Sequence, residues 1–268
     1  MFINNNLLKI LYNFMLSGMP NLISNPINKN PLSSAFIVSP YSTYINYKLD
    51  NHEYNIINSF MNNNKNNSNS NSNNFKIIPT EIIKNTNLDY FLSINIYNCT
   101  SPLFDFLNNQ NSVRCEINTY VCNKQNLKGT LILDYVSNML SLDPVNLFKK
   151  SGNIQFLKKN NIIKGFANNN NFNLKFKYNI NNNFIKNNKI SYELVKYTDI
   201  IYYTSGIYDK VFYDSLFIDN DIISTLKHDV KFKFLDYEFK NENLHSVFYF
   251  KNKINFMGVM WSNIFNID

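Results

Sequence analysis

The sequence predicts a mainly β protein, an antiparallel barrel or sandwich with one short internal helix. Three observations carry that prediction. From Phe75 onward, short runs rich in Ile, Val, Phe and Tyr follow one another, parted by Asn-rich turns. One of these runs, VRCEINTYVC (113–122), alternates strictly. Arg114, Glu116, Asn118 and Tyr120 share one face, and Cys115, Ile117, Thr119 and Val121 share the other. Against this background only SNMLSLDPVNLFKK (137–150) reads as an internal helix, and strand after strand around a single helix favours a closed or layered β architecture.

Taken in order, residues 1–16 read as an amphipathic helix or a loosely docked arm. The segment 17–61 holds four of the 7 prolines and the apolar run AFIVS (35–39), which suggests irregular structure with one strand. NNNKNNSNSNSNN (62–74) has nothing to bury against chain entropy and is expected to be a disordered surface loop. The expected organisation is therefore an arm and irregular segment over 1–61 packing on the barrel, a loop over 62–74, and a β-barrel domain over 75–268. Within that domain, FKIIP (75–79), DYFLSINIYN (89–98), VRCEINTYVC and TLILDYV (130–136) are expected strands. The last two are joined as a hairpin through NKQNLKG. Pro144 fits a first helical turn capped by Asp143, which places a short helix over Pro144–Lys150, with Gly152 as the left-handed residue that stops it. IQFLKK, IIKGFA, FNLKFKYNI, ISYELVKY, DIIYYTSG, KVFYDSLF, ISTLKHDVKFKF and SVFYFKNKINFMGVMW continue the strands to the C-terminus.

Composition narrows the function classes. The net charge of +7 is almost all lysine, since Arg114 is the single arginine. Base and phosphate recognition relies on the bidentate guanidinium, so no nucleic-acid partner is expected. The alternating KFKF of 231–234 reads as a half-buried strand with phenylalanine inward and lysine in water. Three cysteines (Cys99, Cys115, Cys122) form no CxxC pair, and three scattered histidines (His52, His228, His245) make no metal cluster. No metal, cofactor or structural disulfide is expected. LLKILYNFML (7–16) is too short to span a bilayer, so no membrane partner is expected and a cytoplasmic location follows. A homo-oligomer is compatible with all of this.

The residue of interest for chemistry is the doublet Lys149-Lys150 in DPVNLFKKSG. At a helix end two cations favour the macrodipole. Two adjacent ammonium groups can also lower one another's pKa and leave a neutral amine able to attack a carbonyl. Arg114 and Glu116 are expected to face one another along their strand, either as an ion pair or as a carboxylate holder inside a barrel.

A polar-faced strand with Glu116, a hairpin partner ending at Asp134, a helix delivering Phe148-Lys149-Lys150 and a strand leaving it appear in that order. RCEINTYVCNKQNLKGTLILDYVSNMLSLDPVNLFKKSGNIQF carries most of this pattern, and ELVKYTDIIYYTSGIYDKVFYDSLF continues it. From about Asp89 to Phe217 the layout resembles the acetoacetate decarboxylase-like superfamily, nearest its uncharacterised DUF2071-like branch. The resemblance implies an antiparallel cone or barrel. It also implies that Lys149 is a Schiff-base nucleophile, Lys150 the cation that perturbs it, and Glu116 an active-site carboxylate. Arg114, Asn118, Tyr120 and Asp134 would line the substrate cavity. Phe148 stands where the decarboxylases have proline, and no carboxylate falls at 93–95. Two functions fit: a decarboxylase-like enzyme acting on a keto acid or related carbonyl compound, or a non-catalytic barrel binding a small apolar or carboxylate ligand. In either case the partner is a small molecule.

Overall fold

The computed structural model describes residues 36–38, 42–63, 75–83, 86–100, 112–122, 126, 128–138, 152–180, 185–186, 200–204, 207–213, 221–224, 229–250 and 254–259. In chain order these form β1 (Phe36–Val38), β2 (Ser42–Lys48), α1 (Asn51–Asn63), β3 (Lys76–Ile77), β4 (Phe91–Thr100), β5 (Ser112–Cys122) and β6 (Lys128–Ser137). β7 (Asn153–Lys159), β8 (Ile162–Asn168), β9 (Phe172–Asn179), β10 (Ile185–Lys186), β11 (Ile200–Thr204) and β12 (Ile207–Tyr213) follow. The chain continues through β13 (Asp221–Ser224), β14 (Asp229–Phe234), β15 (Tyr237–Phe239), β16 (Leu244–Phe250) and β17 (Ile254–Val259).

Two sheets result. The larger has 12 strands in the order β10-β13-β16-β2-β4-β1-β17-β12-β11-β6-β5-β3, and β4 pairs additionally with β5. β4 thus meets β2 and β5 along most of its length and β1 through its last two residues. The sheet folds back on itself at β4, with β2, β16, β13 and β10 continuing beyond, so it is not a simple closed barrel. Pairing is antiparallel except between β6 and β11. The smaller sheet has 5 antiparallel strands ordered β15-β14-β9-β8-β7. Its β14–β15 turn places Leu235 and Asp236 at φ 48 and 66, the left-handed pair that a two-residue hairpin with matching twist needs.

Alternation decides how the sheets meet. β9 and β14 each bury every second residue, so Phe172, Leu174, Phe176 and Tyr178 line up with Val230, Phe232 and Phe234. Lys231 and Lys233 are exposed, as expected of the KFKF run. This layer packs on one face of the large sheet. Tyr47 stacks on Phe232 at 5.8 Å and meets Phe239 edge-on at 5.6 Å, and Thr43 Oγ1 lies 2.6 Å from Tyr178 OH. Ile45, Ile94, Ile96, Cys115, Ile117, Val121 and Val136 complete the apolar core on the large sheet's side.

A helix stands in a segment expected to be irregular. The described part of 17–61 holds β1, β2 and all but the last two residues of a 13-residue helix, rather than irregular chain with one strand. Its start is an Asp-x-x-Glu capping box: Asp50 Oδ1 accepts from Glu53 N at 2.8 Å, and Asp50 N donates to Glu53 Oε2 at 3.1 Å. Ile57 and Met61 are buried, and Phe60 meets Phe234 edge-on at 5.2 Å. The expected disordered loop begins inside this helix, whose last residue is Asn63; residues 64–74 lie outside the described residues, as do 139–151 with the expected helix over Pro144–Lys150. The arm over 1–16 and the run 190–197 also lie outside them. Gly152 does not adopt the left-handed conformation expected of a helix stop. It is glycine because β8 passes close by: an added Cβ would sit 2.0 Å from the Asn168 carbonyl oxygen. Among the described residues no helix is long and apolar enough to cross a membrane.

Candidate ligand site on a buried polar face

Among the described residues, the other face of β16, β2, β4, β5 and β6 is also largely buried, and it is rich in polar groups. β5 turns Arg114, Glu116, Asn118 and Tyr120 onto it, as its alternation predicts, while Cys115, Ile117, Thr119 and Val121 join or border the apolar core. The register brings matching polar residues from the neighbours. Tyr97 lies opposite Arg114, Asn95 opposite Glu116, and Ser93 opposite Asn118. Beyond β4, Asn46 of β2 lies opposite Ser93, and Ser246 of β16 opposite Asn46. On the other side Tyr135 of β6 faces Glu116. All of these side chains are buried. Burying this many polar groups is unfavourable unless each is hydrogen-bonded, so their concentration on one face makes it the candidate site.

The face has three parts. At one end Glu116 is the focus: Arg114 Nε lies 2.7 Å from Oε1, and Tyr97 OH donates to the same oxygen at 2.7 Å. The Arg114 Nε–H is not aligned for a hydrogen bond despite that distance, so the contact is one of charge. Arg114 also lies over the Tyr135 ring, 5.0 Å from its centroid. Arg114 and Glu116 are 7% and 5% exposed, so they form a desolvated and internally neutral pair.

At the other end Ser93 Oγ donates to Asn46 Oδ1 at 2.6 Å and lies 2.9 Å from Tyr120 OH, while Asn46 Nδ2 donates to Ser246 Oγ at 3.2 Å. Between the two ends stand Asn95 and Asn118. Asn118 is fully buried, yet neither its Oδ1 nor its Nδ2 has a partner among the described residues, and Asn95 Oδ1 has none either. Among the described residues, the amides of the face thus leave one donor and two acceptors unmet, beside the Arg114 Nε–H of the ion pair.

Of the residues expected in the site, Arg114, Glu116, Asn118 and Tyr120 come together on this face. Asp134 does not. It pairs with Ile117, on the face opposite Glu116, and its Oδ2 accepts from Asn171 Nδ2 at 2.7 Å. That bond ties β6 to the β8–β9 turn, and a bulge in the β5–β6 pairing between Ile117 and Asn118 resets the register there. Lys149 and Lys150 lie outside the described residues. Sequence reasoning named 93–95 only as a place lacking a carboxylate, and it did not single out Tyr97, Asn46, Ser246 or Tyr135. The alternation of 91–97 could have grouped Ser93, Asn95 and Tyr97, whereas Asn46 and Ser246 come from strands nearly two hundred residues apart in sequence and only their pairing unites them. Among the described residues no three His, Cys, Asp or Glu side chains are placed to hold a metal ion.

Taken together, the described residues form a mainly antiparallel β protein with an apolar interior and a buried polar face. No protein-family model matches the chain, and no curated protein does. The chain is similar in structure to acetoacetate decarboxylase from Legionella pneumophila, with 7% identity, 84% of this chain and 85% of that one covered, and a TM-score of 0.47. It is similar to the enduracididine biosynthesis enzyme MppR with HEPES buffer bound (7% identity, 86% and 88% covered, TM-score 0.45). An acetoacetate decarboxylase-like enzyme from Sphingomonas wittichii RW1 is similar at 8% identity, with 84% and 90% covered and a TM-score of 0.43.

Proposed function

We propose that the buried polar face binds a small keto acid or related carbonyl compound, and that Lys149 converts it through a Schiff base in a decarboxylase-like reaction. The observation that supports binding is the set of unpaired, buried amide groups of Asn118 and Asn95 beside the Arg114–Glu116 pair. A ligand presenting an oxygen acceptor and a hydroxyl or enol donor would satisfy groups that otherwise stay desolvated and unbonded. The chemical step rests on the sequence resemblance to the acetoacetate decarboxylase-like superfamily and its DUF2071-like branch, and on the Lys149-Lys150 doublet that carries it.

In that step the neutral Lys149 amine adds to the ketone carbon and water leaves as the imine forms. The protonated imine then takes up the electron pair of the bond to the carboxylate, and carbon dioxide departs. A proton added to the resulting enamine carbon, followed by hydrolysis, returns the amine. Lys150 would keep Lys149 neutral by charge repulsion. Glu116, held by Arg114 and Tyr97, would orient the substrate beside the imine carbon.

Borohydride reduction of the full chain in the presence of a panel of keto acids tests this. A reduced adduct on Lys149, absent from Lys149→Ala, is the expected result. Arg114 and Glu116 already pair with one another at 2.7 Å, which favours a second reading, a β protein that binds a small molecule without reacting. Thermal stabilisation by the same compounds with no adduct on Lys149 would select that reading and discard the Schiff base.

A further inference from the structure

β16 carries an irregularity that the polar face uses. Leu244 pairs with Tyr47 and Ser246 with Asn46, neighbours on β2, so His245 is an extra residue in its strand, a β-bulge. The imidazole packs edge-on against Phe91, with ring centroids 5.1 Å apart, and its Nδ1 lies 3.1 Å from Ser246 Oγ. From there hydrogen bonds cross to β2, β4 and β5. Asn46 Nδ2 reaches Ser246 Oγ at 3.2 Å, Ser93 Oγ reaches Asn46 Oδ1 at 2.6 Å, and Tyr120 OH lies 2.9 Å from Ser93 Oγ. Four of the five residues are buried, and His245 at the outer end is half-buried.

Counting hydrogens orients the chain. Ser93 has one hydroxyl hydrogen and gives it to Asn46, so Tyr120 donates to Ser93. Ser246 Oγ receives the Asn46 N–H, and among the described residues its own hydrogen finds one further acceptor, His245 Nδ1. Every bond therefore points from Tyr120 towards His245, and this direction requires an unprotonated Nδ1.

We propose that His245 is a positioning residue that sets the direction of this chain, and with it the orientation of the Tyr120 hydroxyl on the polar face. When the imidazole takes up a proton, Nδ1–H donates to Ser246 Oγ, and the buried Ser246 hydrogen loses its acceptor. Rotation of the Asn46 amide restores one: Oδ1 turns to Ser246 and Nδ2 to Ser93. Ser93 then donates to Tyr120, and the Tyr120 hydrogen is released towards the side of the face that carries Asn118. One proton gained at Nδ1 reverses four hydrogen bonds, and no other atom is exchanged. Intermediate arrangements leave a buried donor unpaired, which makes the chain two-state rather than graded.

The surroundings set where the reversal falls. Burial holds the imidazole below the ordinary histidine range; Asp89 opposes that and Lys48 adds to it. Those two are themselves paired at 2.9 Å, so their effects on His245 partly offset. The outward-pointing arrangement is thus the one present at neutral pH, and acidification reverses it. The proposal does not depend on the identity of the ligand.

Nuclear magnetic resonance on the full chain, with imidazole nitrogens and tyrosine Cζ carbons labelled, tests it. Tyr120→Phe and His245→Asn assign the two signals. The expected result is that Tyr120 Cζ moves with the same midpoint as the His245 ring. In His245→Asn, whose amide oxygen can accept from Ser246 at every pH, the Tyr120 signal should hold its high-pH position from about pH 8 to about pH 5. In Ser246→Ala, which cuts the chain one link further in, His245 should still titrate while Tyr120 stays silent. A Tyr120 signal that ignores His245 in the native chain, or that titrates unchanged in either variant, overturns the proposal. So does an imidazole that never takes up a proton across that range.

Discussion

Asn118 sets a cost in stability against the proposed binding role in one side chain. Both of its amide groups are buried without partners among the described residues, and each desolvated, unpaired group costs about 1–3 kcal/mol. Replacing it with leucine, of similar volume and without polar atoms, should therefore stabilise the empty protein by about 1–2 kcal/mol, a rise in Tm of about 2–4 °C for a chain of this size. The same variant should lose the thermal shift produced by any compound that binds the face. Calorimetric melting of Asn118→Leu with and without keto acids checks both halves. A loss of stability would show that the amide is satisfied in solution and that the site reading is mistaken. The side-chain pattern of β5 was legible in the sequence because strand alternation is a local property, and Arg114, Glu116, Asn118 and Tyr120 all fall where it puts them. Asp134 was not, because the bulge between Ile117 and Asn118 depends on how β6 pairs.

Among the elements, α1 shows how composition can hide a signal. NHEYNIINSFMNN is crowded with asparagine, a poor helix former, and its hydrophobic positions are few. The signal lay at the entrance, where Asp50 and Glu53 stand three residues apart and close a capping box. The Glu53 N–H bond holds the Asp50 carboxyl below its ordinary range. A carboxyl lowered in the folded state contributes stability that is fully present above its unfolded pKa, about 4, and fades as pH falls through the folded value. Asp50→Ala should then lower stability by about 1 kcal/mol near neutral pH, with the difference shrinking in acid; denaturant titration of both proteins at the two conditions reads it. Burial pushes Glu53 the other way, so acid unfolding of the native chain reflects both. The run ISTLKHDVKFKF misled in another way. It reads as one strand, yet β13 joins the large sheet and β14 the small one. Period-2 alternation says which residues share a face but not which sheet the face belongs to.

For the molecule as a whole, the two sheets are held by one apolar cluster that takes residues from both and from α1. Phe232 sits at its centre, fully buried and in ring contact with Tyr47, Phe234 and Phe239. Phe232→Ala should cost about 3–5 kcal/mol, and because the core is shared, both sheets should lose it together. Backbone and aromatic circular dichroism should move in step to a lower denaturant midpoint. Separate transitions would mean that the small sheet folds as a unit of its own.

The amino-acid sequence by itself determined the β class, the alternation of β5, β9 and β14, the inward phenylalanines of the KFKF run, and the grouping of Arg114 with Glu116. Each is set within a few residues by strand geometry and by burial of apolar side chains. The tertiary structure alone decided that the polar half of β5 would be buried rather than wet. It also decided that Asn46, Ser93 and Ser246 would extend that face, that Asp134 would leave it, and that a bulge would bring His245 to its edge. These depend on which strands pair and in what register, and the free energy that selects a register is summed over the whole sheet rather than written in any one segment.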